Sequence, residues 1–342
     1  EAEEAGVLRL RDGARLEFTH ALLRAAADAE LSSSDVARAA LHRCLAMAIE
    51  QVHAGELDAY AGQIAQHFDA AGGERERALV HYRRAAQRAT AALAHGEAAR
   101  LLERATTLAT GAAAETRAEI QLELGFALKR AGIGSYRAPF DRAYDLSREL
   151  DDSRRRYELA RDALLGVSRG IFSYVGHIDE EKVERIHHTI AAAQPDDVAD
   201  LALLKVHLAV ELSFSPDRTL QRELAEEALA LAHRSGDGEI IERVMFQFMV
   251  ARWGPDSIDE RLEIGHQLHE RITPALRDPE HREAGRSPGL MVNAVTNYFQ
   301  ACMEGGRFDV AKRLLADLTT LAAETRQPST IGYACLRQSS WA

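Results

Sequence analysis

The chain has 342 residues, 46% hydrophobic and 28% charged, enough apolar material for about two domains or one long repeat array and too much for a disordered chain. Its 42 basic and 53 acidic residues give a formal charge of −11, which argues against a surface that grips nucleic acid unaided. Cys44, Cys302 and Cys335 are far apart and odd in number, with no CxxC pair, which argues against a disulfide framework or structural zinc and for a reducing, cytoplasmic compartment.

No run approaches the ~18 apolar residues of a membrane span, and the acidic start, Glu1-Ala2-Glu3-Glu4, lacks the layout of a signal peptide. There is no initiator Met, and the opening reads as mid-helix, so the chain is expected to be a piece of a larger protein. The first element is a hairpin: Val7-Leu8-Arg9-Leu10 and Leu16-Glu17-Phe18 alternate on either side of Asp12-Gly13. Helical periodicity takes over beyond it. Ala78, Tyr82, Ala85, Ala86 and Ala89 fall on one stripe of a 3.6-residue period, and so do Ala98, Leu101, Leu102, Ala105 and Leu108. Leu224, Ala228, Leu231 and Ala232 repeat the pattern, as do Ala311, Leu314, Leu315, Leu318 and Ala322. Polar Pro or Gly junctions separate the helices: Gln194-Pro195-Asp196-Asp197, Ser215-Pro216-Asp217, Ser235-Gly236-Asp237-Gly238, Gly254-Pro255-Asp256, Asp278-Pro279 and Gln327-Pro328. About fourteen helices of ~12–20 residues are expected.

These helices repeat. A small-x3-large-x2-small signature recurs as Ala78/Tyr82/Ala85, Ala98/Leu102/Ala105 and Ala225/Leu229/Ala232, with the variant Ala311/Leu315/Leu318. It matches the second helix of a tetratricopeptide repeat, where small residues allow close approach and the large one fills the gap. Gly306 and Gly73, five residues before Ala311 and Ala78, are placed to end the preceding helix with positive φ. Turns recur at roughly 41–49 residues in the second half, longer than the ~34 of the standard repeat, so the repeats are degenerate. The expected fold is all-α, a right-handed TPR-like superhelical solenoid.

One block is more specific. Leu16-Glu17-Phe18-Thr19-His20-Ala21-Leu22-Leu23-Arg24 leads into Arg38-Ala39-Ala40-Leu41-His42, then Ala65-Gln66-His67-Phe68-Asp69-Ala70-Ala71-Gly72. This resembles the end of the winged-helix region and the start of the helical repeats in large bacterial STAND-class signal-transduction ATPases. They include MalT-like and large LuxR-type regulators and relatives fused to adenylate or guanylate cyclase domains. Gly170-Ile171-Phe172, Leu212-x-Phe214-Ser215, Ala251-x-Trp253-Gly254-Pro255-Asp256 and Arg326-Gln327-Pro328 resemble the repeat arm of the same proteins. The resemblance implies a winged-helix remnant over 1–50, first TPR-like hairpins over 51–110 and a degenerate arm over 111–342. It further implies ATP/ADP and Mg²⁺ in the intact protein, held by an upstream nucleotide-binding domain, and an arm that binds a small-molecule inducer or protein partner. Transcription is the expected output; an arm of a cyclase, or a scaffold without ligand, is the alternative. The chain has no G-x-x-x-x-G-K-[ST] and no Gly-Lys dipeptide, so by itself it is expected to be neither an ATPase nor another enzyme and to hold no cofactor.

Candidate residues follow. By the resemblance, His20 contacts a nucleotide phosphate in the intact protein; the plainer account is a helix-start histidine against the hairpin. Phe246, Phe248, Trp253, Asn293, Asn297 and Tyr298 are candidates for a ligand or partner groove, although aromatic residues at helical spacing are usually core. His53, His67, His81 and His95 recur every 14 residues, and His266-x-x-His269-Glu270 shares a helix face, but neither set has a metal motif's order. A free-standing helical enzyme or carrier using these histidines is the competing reading. Gly132-Ile133-Gly134 follows a helix and not a strand, so it is expected to be a turn. The cysteines are expected in the core.

Overall fold

The computed structural model describes residues 5, 7–11, 15–32, 34–167, 178–277, 288–325 and 328–341. The Asp12-Gly13 turn, the Gly170-Ile171-Phe172 run, the Asp278-Pro279 junction and Arg326-Gln327 lie outside the described residues. The chain divides into two compact units, Glu1–Glu149 and Leu150–Ala342. Each is a stack of helices packed on their sequence neighbours, so the fold is all-α and of helical-repeat, α-solenoid type, with one short β-hairpin.

The first unit opens with β1 (Leu8–Arg11) and β2 (Arg15–Phe18), antiparallel in the register Leu8↔Phe18 and Leu10↔Leu16. Six of its helices then follow: α1 (Ala21–Ser32), α2 (Asp35–Val52), α3 (Leu57–Ala71), α4 (Arg75–Ala91), α5 (His95–Leu108) and α6 (Ala114–Arg130). A seventh, α7 (Arg137–Ser147), closes the unit. From α2 to α7 each helix packs on the next. Alanines make this possible. Ala61, Ala65, Ala78, Ala98 and Ala105 are wholly buried, so neighbouring backbones approach closely while Ile64, Phe68, Tyr82 and Leu102 fill the spaces between them. Burying each of the larger side chains contributes roughly 1.5–3 kcal/mol. Charged residues tie some helices to the next but one. Arg104 of α5 grips Asp69 of α3 through two bonds of 2.6 Å, and Arg83 of α4 reaches Glu119 and Glu123 of α6.

The second unit runs α8 (Ser153–Val167), α9 (Glu180–Ala191), α10 (Val198–Glu211), α11 (Arg218–Ser235), α12 (Gly238–Ala251) and α13 (Ile258–Arg277). Three more follow: α14 (Pro288–Glu304), α15 (Phe308–Thr325) and α16 (Pro328–Trp341). Here α10 touches α8, α9, α11 and α12, while α14 touches α12, α13, α15 and α16. The polar junctions do as expected. Asp217 and Asp237 each accept two backbone N–H groups at the start of α11 and α12, which stops the preceding helix and starts the next.

Three expectations need correction. Gly306 ends α14 at φ +69°, as expected, but α3 ends on Gly72 at φ +78°, not on Gly73. The helical hydrogen bonding of α3 stops one residue sooner relative to its glycine pair than that of α14 does, so here the first glycine of the pair takes the left-handed conformation. There are sixteen α-helices among the described residues, more than about fourteen. The junction at Ala92–Ala94, between two stripes already separate in the sequence, has neither Gly nor Pro and turns through Leu93 at φ +59°. Finally, Cys302 is buried, but Cys44 and Cys335 are exposed.

Candidate functional site

The second unit contains a solvent-open cleft of about 490 Å³ between α13, α14 and α15. Helical periodicity builds its walls. On α13, Asp259, Leu262, Glu263, His266 and His269 fall on one face; on the facing element Arg307, Val310, Arg313 and Leu314 do the same. Tyr298 of α14 stands between them.

The position of Tyr298 depends on a glycine. A Cβ on Gly265 of α13 would lie 2.4 Å from the Tyr298 ring, so only glycine leaves the notch into which the ring fits. His269 lies against the same ring, centroids 5.9 Å apart, with its Nε2 3.1 Å from Asp317 Oδ2. A carboxylate only accepts, so Nε2 carries the proton. Burial pushes the Tyr298 phenol up to about 12; Cys302, one helical turn on, adds to this, Arg313 opposes it and Glu263 raises it. The Cys302 thiol is pushed up to about 11, mainly by burial. Both groups therefore keep their protons at neutral pH and supply neither a thiolate nor a phenolate.

The charged groups of the walls are different. Arg307, Arg313, Asp259 and Glu263 are exposed. None of the four makes an ion pair among the described residues, and Glu263 only accepts a 2.7 Å bond from Gln267. Carboxylates on one wall thus face guanidiniums on the other without closing on them. Together with the apolar floor of Leu262, Val310 and Leu314, this arrangement suits recognition.

No protein-family model matches the chain, and no curated protein matches it in sequence. Among solved structures it is similar to a circular tandem repeat protein with novel repeat topology and enhanced subunit contact surfaces. That likeness is at 15% identity, spans 94% of this chain and 84% of the other, and has a TM-score of 0.22. Nothing about this chain's activity follows from it.

The candidate groove residues divide. Tyr298 lines the cleft. Asn297 is buried and donates to the Asn293 carbonyl at 2.8 Å, within its own helix. Phe246 and Phe248 are core and not groove, at 7% and 4% exposure. The reason is that α12 is apolar nearly all round and is packed by α10, α11, α13 and α14, which leaves no face for a ligand. Trp253 is exposed beyond the end of α12 and is not among the residues that line the cleft.

His20 is exposed at the start of α1, where its Nδ1 accepts the Leu22 N–H at 3.3 Å. The plainer expectation for it, a helix-start histidine, describes this local geometry. The periodic histidines do not converge. His53 stacks on Tyr60 at 3.6 Å, His67 Nδ1 meets His42 Nδ1 at 2.8 Å, and His81 Nε2 meets Glu50 at 2.7 Å. Among the described residues no three His, Cys, Asp or Glu side chains come together as a metal-binding group. No helix among them is long and apolar enough to cross a membrane. Gly132 ends α6 at φ +73°, a turn as expected.

Sequence reasoning missed Asp259, Glu263, Arg307 and Arg313. The available signal was partial: Asp259 and Glu263 at i, i+4 on one face of α13, next to Gly265, with no matching repeat for Arg307 and Arg313.

Proposed function

We propose that this chain is the sensor and protein-interaction arm of a STAND-class, ATP-dependent regulator of transcription in the bacterial cytoplasm. Its second unit binds a small inducer or a partner, and its first unit communicates with the nucleotide-binding domain. The observation that carries the reading is the cleft with opposed, unclosed charges inside a stack of helical repeats. Binding there alters how the stack docks on the nucleotide-binding domain and so biases an ADP-bound closed state against an ATP-bound open one.

Two features of the first unit support the assignment of its partner. α1 and α2 leave Leu22, Val36, Met47 and Val52 exposed at 73%, 81%, 49% and 75%, apolar surface of the kind that a neighbouring domain would cover. With Nδ1 of His20 occupied as an acceptor, the neutral ring carries its proton on Nε2, the tautomer that donates to a phosphate. ATP or ADP with Mg²⁺ would supply the switch chemistry in the intact protein. This chain's share is His20 alone, because it contains no phosphate-cradling glycine loop with its lysine. By itself it acts by binding and not by catalysis.

Differential scanning fluorimetry tests the reading. A library of metabolites and short peptides is run against the wild type and the Arg307→Ala/Arg313→Ala double variant. At least one compound is expected to raise the wild-type melting temperature and leave the variant's unmoved. A library without a single hit, or hits that shift both proteins equally, would overturn the assignment of the cleft.

A further inference from the structure

We infer that the cleft between α13, α14 and α15 takes a zwitterion, a small molecule with an ammonium and a carboxylate at its two ends and an apolar body. Amino acids and dipeptides with aliphatic side chains are of this class. The inference rests on the reading of the cleft as the arm's recognition site and names what that site selects.

Charge placement carries it. The α13 wall offers Asp259 and Glu263; the opposite wall offers Arg307, just before α15, and Arg313 on it. The formal sum is zero, so neither a bare anion nor a bare cation is favoured overall. A ligand anion drawn to the arginines has carboxylates facing its other end, and the reverse holds for a cation. Opposite charges that could reach each other would pair, yet none of these four does so among the described residues. The two walls meet where His269 of α13 reaches Asp317 of α15 at 3.1 Å, but these four charges stay open, and a molecule with charges at both ends satisfies both sides at once. Arginine suits the carboxylate end because its fork donates two parallel bonds. Between the walls, Leu262, Val310 and Leu314 provide an apolar surface for the body of the ligand. Tyr298 lines the same cleft, its ring held there by the Gly265 notch. The volume, about 490 Å³, sits within the ~300–1,000 Å³ typical of small-molecule sites.

Isothermal titration with three probes tests the class: the dipeptide Leu-Leu, its N-acetyl form, which lacks the ammonium, and its C-terminal amide, which lacks the carboxylate. The wild type is expected to bind Leu-Leu about tenfold more tightly than either capped form, the effect of one charge-assisted contact. Arg313→Gln should weaken Leu-Leu about tenfold and leave the amide unchanged. Glu263→Gln should weaken Leu-Leu and leave the N-acetyl form unchanged. Both positions are exposed, so the variants are expected to melt with the wild type, which circular dichroism checks.

Equal affinity for all three probes in the wild type would overturn the zwitterion while leaving the cleft as a site, provided the variants still weaken binding. Selectivity that survives both variants would place it elsewhere and overturn the inference. Failure of Leu-Leu to bind at millimolar concentration would overturn the ligand class, and the fluorimetry library then decides the recognition reading separately.

Discussion

The two units use the same packing device to different ends. In the first, a Cβ on Gly125 of α6 would lie 2.8 Å from the Phe140 ring of α7; in the second, one on Gly265 of α13 would lie 2.4 Å from the Tyr298 ring of α14. In both, a glycine lets an aromatic ring from the next described helix drop against the backbone. Phe140 then disappears into the core at 0% exposure, edge-on to Phe126 and Tyr136. Tyr298, at 7% exposure, is nearly as buried but still lines a cleft. Repeat packing alone therefore does not make a site. What makes one is a gap flanked by opposed charges that stay unpaired.

The largest effect expected from breaking this parallel is at Phe140. Phe140→Ala removes a fully buried ring whose space α6 and α7 cannot refill, at a cost of about 3–5 kcal/mol. Both tryptophans, Trp253 and Trp341, belong to the second unit. In urea the circular dichroism midpoint of Phe140→Ala should fall while the tryptophan transition stays in place; a tryptophan transition that falls equally would mean that the units unfold as one. Gly265→Ala is the counterpart. It forces a methyl into the Tyr298 ring, costs about 1–3 kcal/mol and lowers the tryptophan midpoint. It should also weaken any cleft ligand, whereas Gly125→Ala should not.

A smaller effect, of opposite sign, is expected at Leu93. This exposed residue closes α4 in the left-handed region at φ +59°, which costs an L-residue roughly 1–2 kcal/mol. Leu93→Gly relieves that cost but gives part of it back as chain entropy. The net expectation is a stabilisation of up to about 1 kcal/mol, read as a higher circular dichroism midpoint with the tryptophan transition unchanged.

Leu93 also shows where sequence reading fails. The apolar stripes of α4, α5, α11 and α15 were legible because burial imposes a 3.6-residue period on residue type. Asp217 and Asp237 were legible as part of polar junctions because a cap needs a short acceptor. A helix that ends on leucine leaves no such trace, since the ending is dictated by how α5 must pack back on α4. At the site, Tyr298 was visible as a polar aromatic, but Phe246 and Phe248 carried the same signal and proved to be core. His266 and His269 stood out as a pair, yet their metal reading needed further ligands that do not converge there. The four charges of the cleft were invisible for a simple reason. Exposed Asp, Glu and Arg are the commonest residues on any solvated helix face, and only the facing of α13 and α15 across a gap gives these four a meaning.

The smallest expected effect separates the units by pH. His67 of α3 is half-buried with its Nδ1 2.8 Å from that of His42 on α2, so one ring must donate and the other accept. Burial first, and the His42 charge second, hold the His67 imidazole below its ordinary value of 6.5. As pH falls through 6.5 the unfolded chain therefore takes up this proton before the folded one does. The unfolded state binds more protons in that window, so stability rises with pH there: the contribution is complete above about 6.5 and is lost as pH falls toward the depressed folded value. Asp69, on the same helix, does not confuse the measurement. The Arg104 hydrogen bond holds its carboxyl below 3.8, so its contribution is present above that value and is lost only in stronger acid. Between pH 7.5 and 5.5 the circular dichroism midpoint should fall in the wild type and fall less in His67→Gln, whose amide keeps a hydrogen-bonding group beside His42 without titrating. An equal slope in the two proteins would show that the α2–α3 contact does not sense protons.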